Sequence, residues 1–291
     1  MLGAGLVLAL SMGELALSAL NSHLPELATF PTPESQLKYH DLAVEGRDVD
    51  AVVLGSSSLE AAFDPGQVSS SITAYNLAMP FTDLATMYLW LSEVVFEHAR
   101  PNIVVIGLSL WEKANAISVS EATARALNGS NQNAYLNVLV RHGSLASLDQ
   151  SIARERLLAA SLWTPEGHQT AYYREPSLVE EWPVLRSAVL TNEEIASLQS
   201  LIALIRANHA EPVMIVEPVA TARIDDLDKA NRYLDMLRDV AGRFGVGLWE
   251  LPVAFGDSEF YVDGLHLTRE GTSRFSLHLA DRLQSITVSS R

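Results

Sequence analysis

From Asp50 onward the chain alternates short, almost wholly apolar runs with longer stretches whose apolar residues recur at helical spacing. DAVVLG (50–55), ITAYNLAM (72–79), NIVVIGLSL (102–110), PVMIVEPV (212–219) and VGLWELP (246–252) are too short for helices and read as buried strands. Thr82 to His98 carries Leu84, Met87, Leu91, Val94 and Val95 on one helical face, with Thr82 as the expected N-cap. Thr191 to Ala210 opens on T-N-E-E, a capping-box signature, before an apolar stripe. Asp225 to Phe244 is a third helical stretch, closed by Gly245, and Arg269 to Ile286 is a fourth. Apolar strands alternating with helices predict a parallel sheet covered on both faces. The expected fold is therefore α/β, a three-layer α/β/α, flavodoxin-like arrangement with its site at the carboxyl ends of the strands.

Three segments fall outside this alternation. Leu2 to Leu20 is an apolar run broken only by Glu14, close to the ~20 residues that cross a bilayer. It is expected to be an N-terminal apolar helix serving as a membrane anchor or uncleaved signal, the alternative being an ordinary buried helix. Residues 21–48 contain Pro25, Pro31 and Pro33 and no sustained period, which reads as a tether. The α/β domain is then expected over 49–288. Within it, 110–190 lacks a convincing strand and forms a helical insertion after the third strand. It is either a substrate-covering cap or a peripheral decoration.

Charge and composition narrow the chemistry. The 291 residues carry a net charge of −15, so phosphate backbones are repelled and no nucleic-acid partner is expected. Cysteine is absent, which excludes thiol catalysis, disulfides and thiolate metal sites. The histidines are scattered and no phosphate-cradling glycine motif follows a strand, so neither metal nor cofactor is expected.

What remains is Gly55-Ser56-Ser57-Ser58 at the exit of the first strand. A serine nucleophile needs a base to take its proton and a third group to orient that base. Asp263 and His266 in FYVDGLHLTREG (260–271) fit: in a loop, D-x-x-H spacing folds the carboxylate back onto one imidazole nitrogen. This loop lies between the last strand and the last helix, at the same sheet edge as the serines. The competing view is that the serines only start a helix at Leu59-Glu60-Ala61-Ala62 and His266 is a loop residue.

Taken together, VVLGSSSLEAAFDP and DGLHLTREG resemble the first and last blocks of the SGNH (GDSL-like) hydrolases, with YNLAMP and IVVIGLS where the middle blocks belong. The resemblance covers about residues 49 to 288. It implies an SGNH hydrolase-like fold, nucleophile Ser57, base His266 and acid Asp263, with Ser56 in the place of the family's usual Asp and Ser58 following the nucleophile. By their own chemistry Ser56 and Ser58 read as turn and helix-start residues. On the oxyanion and substrate side it implies Asn76, Phe81, where the family has glycine, and Ser109, where it has asparagine. Trp111 is a candidate sugar-stacking platform or a core residue.

The GSS variant, altered middle blocks, apolar N-terminus and insertion look most like the membrane-anchored SGNH-like proteins of cell-envelope and polysaccharide O-acylation. That likeness implies a bacterial, extracytoplasmic esterase or O-acyltransferase without cofactor. Its substrate would be an acyl-ester glycan or small acyl ester, with a membrane acyl-donor protein as partner. The altered positions Phe81 and Ser109 keep open a catalytically degenerate module that binds glycan or scaffolds envelope proteins.

Overall fold

The computed structural model describes residues 38, 41–42, 48–68, 72–79, 82–110, 189–251 and 258–289. Among these, five strands form one parallel sheet in the order β2-β1-β3-β4-β5: β1 Ala51–Leu54, β2 Ala74–Asn76, β3 Ile103–Leu108, β4 Glu211–Val216 and β5 Gly247–Trp249. The central register pairs Ala51 with Ile103 and Leu54 with Ile106, and Ile103 with Glu211 through Leu108 with Val216. Each apolar run in the sequence supplies one strand, trimmed at its ends. Beyond β2 the chain leaves strand geometry but keeps bonding to β1, with Leu77 N–H on the Val53 carbonyl and Met79 N–H on the Gly55 carbonyl.

Side-chain alternation along the strands feeds two cores. One face presents Val52, Leu54, Val104, Ile106, Met214 and Val216 to helices α2 (Leu84–Trp90), α3 (Asn192–Ala207) and α4 (Leu227–Phe244). The other presents Ala51, Val53, Ile103, Val105, Val213 and Ile215 to α1 (Ser57–Ala62) and α5 (Arg269–Ser289). The three-layer α/β/α expectation and the strand order of a flavodoxin-like sheet are present among the described residues. α2 continues through a π turn, Leu91–Val95, into Phe96–His98.

Helix ends follow local chemistry. Thr191 and Glu194 form the reciprocal capping box, and Gly245 closes α4 at φ 62°. Thr82 is not the cap of α2. Asp83 is, its carboxylate accepting Thr86 N–H at 2.8 Å, while the Thr82 hydroxyl donates to the Met79 carbonyl. An ionised carboxylate one residue closer to the helix is the better acceptor for its amides.

The tether expectation also changes at its carboxyl end. Lys38, Asp41 and Leu42 are buried: Lys38 Nζ pairs with Glu60 Oε1 at 3.0 Å and donates to the Ala78 carbonyl, and Asp41 accepts the Tyr75 hydroxyl at 2.9 Å. The domain's packing therefore reaches back at least to Lys38. Such contacts are single polar pairings without a period, so hydrophobic patterning passes over them. The Leu2–Leu20 run, the rest of 21–47, and 111–188 within the insertion lie outside the described residues. Among the described residues no helix is long and apolar enough to cross a membrane.

Candidate active site

β1 delivers the three serines into unlike environments. Ser56 is the N-cap of α1 and is buried, and Ser58 is fully buried one position into the helix. Ser57, the first residue of α1, is the only one of the three that is partly exposed. α1 is held on two sides. Asn76 Nδ2 donates to the carbonyls of Glu60 (3.0 Å) and Phe63 (2.7 Å) at its carboxyl end, and Asn76 Oδ1 accepts Ala78 N–H. The Asn76 amide is thus engaged in fixing α1, a positioning task different from the oxyanion side assigned to it by resemblance. On the other side, Thr272 and Ser276 of α5 donate their hydroxyls to the carbonyls of Ala61 and Ala62.

The second half of the site precedes α5. Phe260 to Thr268 folds into a tight antiparallel loop, with Val262 N–H on the His266 carbonyl, Thr268 N–H on the Phe260 carbonyl and Gly264 at its tip. Asp263 Oδ1 accepts the N–H groups of Leu265 (3.1 Å) and His266 (2.9 Å), and its Oδ2 meets His266 Nδ1 at 2.7 Å. Partial burial pushes the Asp263 pKa up, but the hydrogen bond and charge of His266 and the two backbone amides outweigh it and hold the carboxyl below its ordinary value. An ionised carboxylate only accepts, so the ring nitrogen that meets it, Nδ1, carries a proton. The loop is tied to the segment after β4 by Ala220 N–H on the Gly264 carbonyl. Ser57 and His266 therefore both stand at the carboxyl edge of the sheet.

Ser109 follows β3 at the same edge. Its Oγ is shielded from solvent and has no hydrogen-bond partner among the described residues, as is true of Ser58 Oγ. Phe81 and Trp111 lie outside the described residues. One group that sequence reasoning missed is Glu217. It sits just past β4, 2% exposed, and accepts the Ser56 N–H at 2.7 Å and the Ser56 hydroxyl at 2.5 Å. Ser56 is accordingly more than a turn residue. A lone carboxylate at the end of the apolar run PVMIVEPV was the available signal, since burying a charge there is costly unless partners await it.

No family model and no curated protein sequence matches the chain. Solved structures of similar shape include a Bacteroides fragilis protein described as an acylhydrolase, 13% identical, with TM-score 0.48 over 90% of this chain and 98% of that one. A GDSL-like lipase from Bacteroides thetaiotaomicron is 12% identical, with TM-score 0.45 over 88% of this chain and 100% of that one. An acetylxylan esterase from Geobacillus stearothermophilus is 10% identical, with TM-score 0.45 over 81% and 94%. At such identities and TM-scores these likenesses concern overall shape and carry nothing about chemistry.

Proposed function

We propose that the chain is a serine esterase or O-acyltransferase of the SGNH type, acting on acyl esters through Ser57, His266 and Asp263. The observation that carries this reading is the pairing of Asp263 with His266 at the sheet edge where Ser57 alone of three serines is accessible. His266 Nε2 would take the Ser57 proton as Oγ attacks the ester carbonyl. The tetrahedral intermediate collapses, the alcohol leaves with the proton held by His266, and an acyl-Ser57 ester remains. A water or a glycan hydroxyl, deprotonated in turn by His266, then attacks that ester and restores Ser57. The Ser109 hydroxyl, buried and without a partner among the described residues, is a donor suited to the oxyanion.

The acyl group is proposed to be acetyl and the substrate a cell-surface glycan, with the protein anchored outside the cytoplasm by residues 1–20 and receiving acyl groups from a membrane partner. These finer points rest on motif resemblance and on the apolar N-terminal run. A module that binds glycan without turnover is the competing reading, favoured by Phe81 at a position where the resembled family has glycine.

An activated acetyl ester separates them. Ser57→Ala and His266→Ala should each abolish turnover, and the double variant should be no worse than either, because nucleophile and base act as one unit. A folded Ser57→Ala protein that turns over ester like the unsubstituted chain removes the esterase reading.

A further inference from the structure

The acyl-transfer chemistry has no step for Glu217, yet the fold makes costly room for it. Both carboxylate oxygens are spent on one residue: Oε1 on the Ser56 amide and Oε2 on the Ser56 hydroxyl. The same hydroxyl accepts Ser58 N–H at 3.3 Å, so it links Glu217 to the first turn of α1. Two glycines leave room here for both Leu59 of α1 and the carboxylate. A Cβ on either Gly55 or Gly107 would meet Leu59 Cδ2 at 2.7 Å, and Glu217 Oε1 at 2.8 Å and 2.9 Å respectively. Neither glycine has a positive φ, so what each provides is room, one on β3 and one just beyond β1. The Glu217 amide in turn donates to the Leu108 carbonyl at 2.9 Å, fixing the carboxylate's stem to β3. A buried carboxylate is tolerated only where donors meet it. Here the donors belong to the residue directly before the proposed nucleophile.

We infer that Glu217 is the positioning residue for Ser57. By gripping Ser56 at both its amide and its hydroxyl, it sets the backbone of the β1–α1 turn and thereby the direction in which the Ser57 hydroxyl faces the cleft. A turn built only to start a helix needs one hydroxyl cap and no buried charge behind it. This inference rests on the reading of Ser57 as nucleophile, and it assigns to Glu217 an effect on the reacting geometry beyond stability. Small displacements of a nucleophile carry large rate penalties, which is the lever such a grip would hold.

The test is the inactivation of the full chain by a fluorophosphonate, resolved into kinact and KI, with peptide mapping of the adduct. Glu217→Gln keeps the shape but loses the charge and one acceptor. It should lower kinact by about tenfold to a hundredfold and leave KI within about twofold, in a protein that still unfolds cooperatively. Ser56→Ala cuts the same link from the other side and should behave alike, and the double variant should be no worse than the poorer single one. Should Glu217→Gln fail to fold, Ser56→Ala decides alone. A residue serving stability only would lower the unfolding midpoint and leave kinact of the folded protein untouched, and that result overturns the inference. If the unsubstituted chain is not labelled at Ser57, the esterase reading itself fails and the inference falls with it. Labelling of the unsubstituted chain with variants reacting at full rate sinks the inference alone.

Discussion

Asn76→Ala tests whether the fold holds α1 as described. Asn76, Glu60, Phe63 and Ala78 are all fully buried, so water does not reach the groups that the amide now satisfies. Truncation strands the carbonyls of Glu60 and Phe63 and the N–H of Ala78. Each stranded buried group costs about 1–3 kcal/mol. The lower end applies, because the vacated volume is about that of one water, which would restore some of these bonds. The sum is about 3 kcal/mol, which in a domain of this size lowers the unfolding temperature by about 6–12 °C. Urea and thermal unfolding of the full chain read this directly. An oxyanion donor behaves oppositely, its loss costing ~10²–10³ in turnover with little change in stability. An unfolding midpoint unchanged by Asn76→Ala, together with a hundredfold loss of turnover, would refute the positioning role and return Asn76 to the oxyanion side.

Three further outcomes follow from the described geometry. Because the folded state holds Asp263 below its ordinary value, its contribution is present above the unfolded carboxylate range and is lost as pH falls through the lowered folded value. The stability gap between the unsubstituted chain and Asp263→Asn should accordingly close on acidification, and a gap that widens in acid contradicts the assigned sign. Gly245→Ala meets no clash, its nearest neighbour being Arg206 Nη2 at 3.9 Å, so it should cost only the left-handed backbone penalty of about 1–2 kcal/mol, read as a shift in urea midpoint. Thr191→Ala removes one half of the α3 capping box and should cost about 1 kcal/mol by the same measurement, with turnover unaffected.

Much of the architecture was legible because it rests on periodicity. Continuous apolar runs located all five described strands, and the stripe Leu84, Met87, Leu91, Val94, Val95 is the buried face of α2 and its extension. The D-x-x-H spacing anticipated the fold-back of Asp263 onto His266, since that geometry is set within four residues. What escaped notice depends on contacts between residues far apart in the chain. Glu217 and Ser56 are 161 positions apart, and Lys38 and Glu60 22 apart, so no local pattern announces either pairing. The cap of α2 moved from Thr82 to Asp83 because two adjacent capping residues compete and the charged one prevails. Asn76 stands at the carboxyl end of β2, where site residues gather, yet the buried last-turn carbonyls of a short helix claim its amide first.

Under the proposed mechanism Ser57 is the group that becomes acylated. The most direct measurement is peptide mapping of the full chain after reaction with a fluorophosphonate, which forms a phosphonyl–oxygen bond to an activated serine and expels fluoride. One adduct is expected, on Ser57, with Ser56 and Ser58 unmodified, absent from Ser57→Ala and slowed in His266→Ala. A folded, unsubstituted chain that remains unlabelled, or carries the adduct on another residue, contradicts it.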